Sequence, residues 1–142
     1  MDREGLAAVR AAYARKILAT ARLDDPALEA AFAAVRREDF LGPGPWQVFR
    51  FAKGYEATPD ADPARLYCDD LFGIVAARGL NNGQPSLHAL LISAATPRSS
   101  EHVVQIGAGV GYYTAILAHM VGENGRVTAV EFDIGAWFTT EI

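Results

Sequence analysis

The chain has 142 residues and a mass of 15.3 kDa, a size that fits one domain able to bury about two-thirds of its unfolded surface. Its formal net charge is −4 and its lysines and arginines form no run, so we expect neither nucleic acid nor an anionic membrane as a partner. The single cysteine, Cys68, excludes an internal disulfide and a cysteine-based zinc site. We expect a protein of the reducing cytoplasm.

The three histidines give no sign of a metal centre. His88, His102 and His119 stand in separate segments, without the i, i+4 spacing of helical metal ligands, so no bound metal is predicted. The longest apolar stretch, residues 87–95, is interrupted by His88 and is too short to span a bilayer.

Residues 1–66 are predicted to form an N-terminal extension of helices and loop. A first helix is predicted over residues 4–21, because apolar side chains recur there at steps of three and four residues. Asp25 can cap a second helix whose first position is Pro26. Residues 46–62 are predicted to be irregular, because Pro59 and Pro63 break longer elements.

Residues 67–142 are predicted to begin an α/β domain. A short strand is predicted over residues 71–75, a tight turn at Asn82–Gly83, and a helix from Pro85 through residue 95. The strongest signal follows. Residues 103–106 favour a strand, and a glycine-rich turn leads from it into a predicted helix over residues 114–121.

A second strand is predicted over residues 126–131, which makes the unit a βαβ. Its last residue, Glu131, stands twenty residues past Gly111, about the spacing at which a carboxylate reaches a ribose diol. A dinucleotide site needs glycine or alanine at position 112, where this chain has Tyr112, so NAD is disfavoured. The remaining alternatives are a different nucleotide ligand and a tight strand-to-helix turn that binds nothing.

Four motifs together resemble one family. They are RREDF (36–40), YCDD (67–70), NGQPSLHALL (82–91) and VVQIGAGVGYYTAIL (103–117). Over residues 30–133 this order resembles the protein-L-isoaspartate O-methyltransferases. The resemblance implies an α/β, Rossmann-like methyltransferase, present here as its N-terminal part with an N-terminal helical extension. It also implies S-adenosylmethionine as cofactor, a protein or peptide as acceptor, and methylation of a carboxylate on damaged aspartyl residues, a protein-repair reaction.

The resemblance implies two groups of site residues. Gly83 stands where relatives normally have a serine hydroxyl, so methylation of an isoaspartyl peptide is expected to be slow or absent in this chain. In a full-length relative with the same loop, Gly83→Ser is expected to raise it. The alternative donors are Asn81, Asn82 and Ser86, and the alternative role of Asn82–Gly83 is a tight turn. Asp69 and Asp70 either face the acceptor or act as solvated or capping residues. The acceptor loop comprises Asn82, Gly83, Gln84 and Pro85, and the cofactor-binding residues are Gln105, Gly107, Ala108, Gly109, Gly111, Tyr112, Glu131 and Phe132.

Nine residues follow Asp133, whereas a doubly wound methyltransferase sheet needs further strands. The alternatives are a truncated gene product, a chosen fragment and a half-domain completed by another chain. The predicted sheet would then expose an edge and an apolar face, so self-association is expected. Two functional hypotheses follow: an active methyltransferase, for the family's acceptor or a changed one, and an inactive cofactor-binding or interaction module.

Overall fold

Helices dominate the first part of the chain, and strand, helix and strand alternate at its end. The computed structural model describes residues 3–133. Its helices are α1 (Arg3–Ala21), α2 (Pro26–Ala34), α3 (Pro85–Ala95) and α4 (Tyr112–Val121), with short 3-10 turns at Arg37–Phe40, Pro63–Leu66 and Ala76–Arg78. Its strands are β1 (Gln47–Arg50), β2 (Gly54–Ala57), β3 (Gly73–Val75), β4 (Leu80–Asn81), β5 (His102–Ile106) and β6 (Arg126–Val130).

The predicted helices are confirmed, with small changes at their ends. Asp25 caps α2 as expected, since its Oδ1 accepts a hydrogen bond from the Leu28 N–H at 3.0 Å, and Pro26 is the first helical residue. None of the helices between residues 3 and 133 is long and apolar enough to cross a membrane.

The prediction that residues 46–62 are irregular is wrong. β1 and β2 form an antiparallel hairpin with Val48 opposite Glu56. Buried Trp46 and Val48 pack in a small cluster with Leu66 and Phe72, which gives the hairpin a face to bury. The two prolines that suggested irregular structure lie after β2 and leave the hairpin intact.

The predicted βαβ unit is confirmed. β5 and β6 pair in parallel, with Val103 opposite Val127 and Ile106 opposite Val130, and α4 makes the crossover. β6 ends one residue earlier than predicted, so Glu131 lies just beyond the strand. The turn and the carboxylate therefore meet at the carboxyl ends of two parallel strands, where open α/β sheets bind ligands.

One hydrophobic cluster joins the N-terminal extension to the βαβ unit. Its side chains come from all four helices and from Tyr67, and they include Ile17 of α1, Phe32 of α2, Ile92 of α3 and Ile116 of α4. The packing of α1 and α2 against α3 and α4 fixes the position of the glycine turn. The boundary predicted between residues 66 and 67 remains a prediction.

Arg37 is a charged residue in the middle of this packing, with a side chain that is 0% exposed. Its guanidinium donates hydrogen bonds to the carbonyl oxygens of Leu66 (2.5 Å), Cys68 (2.8 Å) and Asp70 (3.2 Å). The ring of Phe72 lies 5.1 Å from the guanidinium carbon, a cation–π distance. Arg37 therefore fixes the backbone of residues 66–70 against the helices.

We predict that Arg37→Met lowers the free energy of unfolding by about 3 kcal/mol or more, because it leaves buried carbonyl groups without a donor. Urea denaturation measures the change. The matched control is Arg36→Met: Arg36 is half-exposed and pairs at the surface with Glu38 and Asp39, so its loss should leave the midpoint nearly unchanged. Equal effects of the two substitutions would contradict this role.

The face of the β5–β6 sheet away from α4 is apolar, and it is exposed in the part of the chain that the structure describes. The side chains of Val104, Ile106 and Val130 are 55%, 76% and 45% exposed, which confirms the expected exposure of this face. Within residues 3–133, β5 and β6 pair only with each other. Self-association through this surface remains a prediction.

We predict that the chain associates at micromolar concentration and that Ile106→Thr weakens the association, because it removes apolar area from the open face. Static light scattering over a concentration series reports the mass. Leu91→Thr is the control, since Leu91 is also an exposed aliphatic residue but lies on α3. A compact monomer at every concentration would contradict the prediction.

Candidate functional site

A cleft of about 160 Å³ lies between the glycine turn and the loop before α3. It brings together predicted residues of both groups: Asn82 and Gly83 from the acceptor loop, and Gly107, Ala108, Gly109 and Tyr112 from the cofactor group. The lining also includes Asn81, an alternative donor in the sequence analysis, and three residues that sequence reasoning did not assign to the site: His88, Val110 and Tyr113.

The glycine turn has a backbone that other residues rarely adopt. Gly107, Gly109 and Gly111 have φ values of 75°, 56° and 91°, which explains their identity. The Val130 carbonyl accepts hydrogen bonds from the N–H groups of Gly107 (2.8 Å) and Ala108 (3.1 Å). The hydrogen bonding between the two parallel strands thus continues into the turn. The N–H groups of Gly107 and Ala108 are therefore already hydrogen-bonded within the protein. The first i→i−4 hydrogen bond of α4 is donated by the Ala115 N–H to the Gly111 carbonyl. The N–H groups of the residues before Ala115 therefore make no such helical bond.

Glu131 folds over the turn. One carboxylate oxygen, Oε2, accepts a hydrogen bond from the Gly109 N–H at 2.6 Å, and the other, Oε1, accepts one from the Asp133 N–H at 2.9 Å. These two N–H groups hold the pKa of Glu131 below that of an ordinary glutamate, so the side chain is ionised at pH 7. A carboxylate offers about four lone-pair directions, which leaves room for further donors.

The other predicted cofactor residues have different surroundings. The Gln105 side-chain oxygen accepts a hydrogen bond from the Thr114 hydroxyl at 2.6 Å, which ties the end of β5 to α4. Tyr112 is buried against Phe40, with ring centroids 5.8 Å apart. Phe132 is 98% exposed. Gln84, Pro85, Gln105, Gly111, Glu131 and Phe132 do not line the cleft itself within residues 3–133.

The loop before α3 is the predicted tight turn. Gly83 has φ 75°, and its N–H donates to the Asn81 side-chain oxygen at 2.9 Å. Asn82 is buried, and its Oδ1 accepts from the Phe72 N–H at 2.9 Å. Its Nδ2 has no hydrogen-bond partner among residues 3–133. This amide is an unused donor in a residue that lines the cleft.

Asp69 is a capping residue. Its carboxylate accepts hydrogen bonds from the Ser86 N–H and hydroxyl, both at 2.7 Å, and from the Gln84 amide at 3.0 Å. Of the two alternatives for this acid, the structure shows the cap. Asp70 instead pairs with Arg50 at the surface, at 2.7 Å. The cap joins residues 17 positions apart, so no local sequence signal marks it.

His88 and Tyr113 form the wall opposite the glycine turn. Their rings stack with centroids 3.7 Å apart and an interplanar angle of 8°. The Tyr113 hydroxyl donates to the Gly83 carbonyl at 3.1 Å, and the His88 Nδ1 lies 3.0 Å from the Gln84 carbonyl oxygen. Both residues belong to helical stretches that read as ordinary helix, which is why sequence reasoning missed them.

The structure changes the expectation for a serine at position 83. A Cβ atom added to Gly83 would lie 2.1 Å from the His88 Cε1 atom, so a serine fits only if the imidazole moves. Gly83→Ser by itself is therefore expected to disturb the cleft rather than to raise methylation.

We predict that Asp69→Ala lowers the free energy of unfolding by about 1–2 kcal/mol and frays α3, because it removes the cap. Thermal denaturation measures the loss of stability, and amide hydrogen exchange measures the fraying of α3. The neighbouring Asp70→Ala, which breaks a surface ion pair with Arg50 and a weak thiol contact with Cys68, should change neither by a comparable amount. Unchanged exchange in Asp69→Ala would rule out the cap as the determinant of α3.

Comparison with known proteins gives one consistent result. The protein-L-isoaspartate O-methyltransferase of Methanopyrus kandleri is 34% identical over 77 residues, which cover 54% of this chain and 33% of that protein. The enzyme of the same name from Methylorubrum populi is 38% identical over 68 residues, covering 48% and 30%. The second such enzyme of Archaeoglobus fulgidus is 24% identical over 98 residues, covering 69% and 44%. The chain thus spans less than half the length of each of these relatives.

A solved protein-L-isoaspartate O-methyltransferase matches 87% of this chain, with a TM-score of 0.54 and 21% identity, and the match covers 35% of that protein. At this identity the likeness shows the fold, an α/β Rossmann-like methyltransferase arrangement. A family model described as protein-L-isoaspartate(D-aspartate) O-methyltransferase matches residues 16–135. Because that match takes in most of the sequence, the chain belongs to the protein-L-isoaspartate(D-aspartate) O-methyltransferase family.

Proposed function

We propose that this chain binds S-adenosylmethionine at the glycine turn and takes part in methyl transfer to a carboxylate of damaged aspartyl residues in proteins. The observation that carries the proposal is the ionised Glu131 carboxylate, 2.6 Å from the Gly109 N–H at the edge of the cleft. Family membership supports the reaction type. Protein repair in the cytoplasm is the corresponding proposed role.

The residues present fit a nucleoside with a ribose diol. Glu131 has used two of its lone-pair directions, on the N–H groups of Gly109 and Asp133, and retains acceptor capacity for two hydroxyl groups. A Cβ atom built at Gly107 would meet nothing within 4 Å, so the backbone there is open to close approach by a ligand. When bound, S-adenosylmethionine supplies an electrophilic methyl group.

The protein contributes to methyl transfer by holding the two reactants in position. An acceptor carboxylate, with a pKa near 4, is already ionised at pH 7, so its attack needs no general base. Holding the two reactants in line is then the main source of acceleration. The acceptor loop is held by Asp69 at the start of α3 and by the Tyr113 hydroxyl on the Gly83 carbonyl. These contacts fix one side of the cleft relative to the glycine turn.

A second candidate is a cofactor-binding module that acts through an interaction surface and has no activity of its own. The open apolar face at Val104 and Ile106 favours it. Incubation with radiolabelled S-adenosylmethionine and an isoaspartyl peptide, with the matching aspartyl peptide as control, separates the candidates. Base-labile label in the isoaspartyl peptide alone supports the enzyme, and cofactor binding without transfer supports the module.

We predict that Glu131→Ala weakens binding of S-adenosylmethionine at least about tenfold, because each charge-assisted hydrogen bond to a ribose hydroxyl is worth about 1.5–3 kcal/mol. Isothermal calorimetry measures the affinity. Glu123→Ala is the control, because Glu123 is an exposed acid in the loop after α4 and lies outside the cleft. Equal affinities in Glu131→Ala and the unmodified chain would remove Glu131 from the site.

A further inference from the structure

The His88 imidazole is held in one orientation from two sides. Its face stacks on Tyr113 at 3.7 Å, and its Nδ1 lies 3.0 Å from the Gln84 carbonyl oxygen. Tyr113 is itself fixed by its hydrogen bond to the Gly83 carbonyl. The ring also occupies the space that a side chain at position 83 would need. His88 is thus a built part of the cleft wall.

The contact of Nδ1 determines what the other ring nitrogen does. A carbonyl oxygen only accepts hydrogen bonds, so Nδ1 carries the proton in the neutral ring. Nε2 is then a lone-pair acceptor, and the hydrogen bond of this ring within residues 3–133 is made by Nδ1. Burial lowers the pKa of His88, the hydrogen bond to the Gln84 carbonyl opposes this shift, and the nearby Arg37 charge adds to it. The phenol of Tyr113, the titratable group stacked on the ring, is neutral at pH 7 because burial raises its pKa.

We propose that His88 Nε2 accepts a hydrogen bond from a backbone N–H of the acceptor peptide. This inference rests on the proposed function, and it names the feature of the substrate that the cleft recognises. In an isoaspartyl residue the backbone N–H and the free carboxylate are attached to the same Cα atom. A group that binds this N–H therefore holds the carboxylate close to the glycine turn. The imidazole fills the place that a side chain at position 83 would need, and the positive φ of Gly83 also favours glycine there.

The first test concerns the free protein. Gly83→Ala should lower the urea midpoint more than Gly79→Ala, because both glycines have similar positive φ values but a Cβ at Gly79 would meet nothing within 4 Å. Adding His88→Ala should remove the excess cost of Gly83→Ala. If the cost is the same with and without His88, the ring does not occupy this space and the inference fails.

The second test uses a short isoaspartyl peptide and an analogue in which the N–H of that residue is replaced by an ester oxygen. With S-adenosylhomocysteine present, the ester should bind the unmodified chain about tenfold more weakly than the amide. His88→Phe, which keeps an aromatic ring on Tyr113, should weaken amide binding about tenfold and abolish the difference between the two peptides. His119→Phe, at an exposed position of α4 outside the cleft, should behave as the unmodified chain.

Two results separate this inference from the proposed function. Amide and ester peptides that bind equally well, with normal cofactor binding, would overturn the role of His88 and leave the proposed function standing. An isoaspartyl peptide that does not bind at all would overturn both.

Acidification gives an independent readout. Amide binding should weaken as the pH falls through the lowered pKa of His88, because the imidazolium Nε2 donates and no longer accepts. A gain in affinity over the same range would mean that His88 binds the carboxylate as a cation, which contradicts the proposal.

Discussion

A buried guanidinium, that of Arg37, connects the N-terminal helices to the segment that builds the cleft. It binds the Cys68 and Asp70 carbonyls on either side of Asp69, and Asp69 in turn caps α3 at Ser86. The start of α3 fixes the loop that contains Gly83. Burying a charge is costly unless it is hydrogen-bonded, and the three carbonyl acceptors of the terminal guanidinium nitrogens offset this cost, while Nε has no partner within residues 3–133.

The opposite wall of the cleft depends on the parallel pairing of β5 and β6. The pairing places the Val130 carbonyl under the glycine turn and Glu131 over it. One side of the sheet is covered by α4, while Ile106 on the other side is 76% exposed. The helices therefore support the glycine turn from one side of the sheet, and association through the other side is a prediction.

Local sequence signals predicted the parts of the fold that are locally determined. The glycine turn, the two strands beside it and Glu131 follow from residue types at short spacing, as does the Asp25 cap of α2. The hairpin at residues 47–57 was not predicted, because it packs against Leu66 and Phe72, which lie further along the chain. The position of His88 in the cleft was not predicted either, because the ring that it stacks on, Tyr113, lies on another helix.

We propose that the glycine turn and Glu131 form a nucleoside site. Backbone NMR of the labelled chain, titrated with S-adenosylhomocysteine, tests it most directly. We expect saturable shifts concentrated at residues 107–111 and at Glu131, with the Gly109 amide among the largest, because its hydrogen bond to Glu131 must adjust when the ligand binds. Shifts confined to other parts of the chain, or none at millimolar ligand, would contradict it.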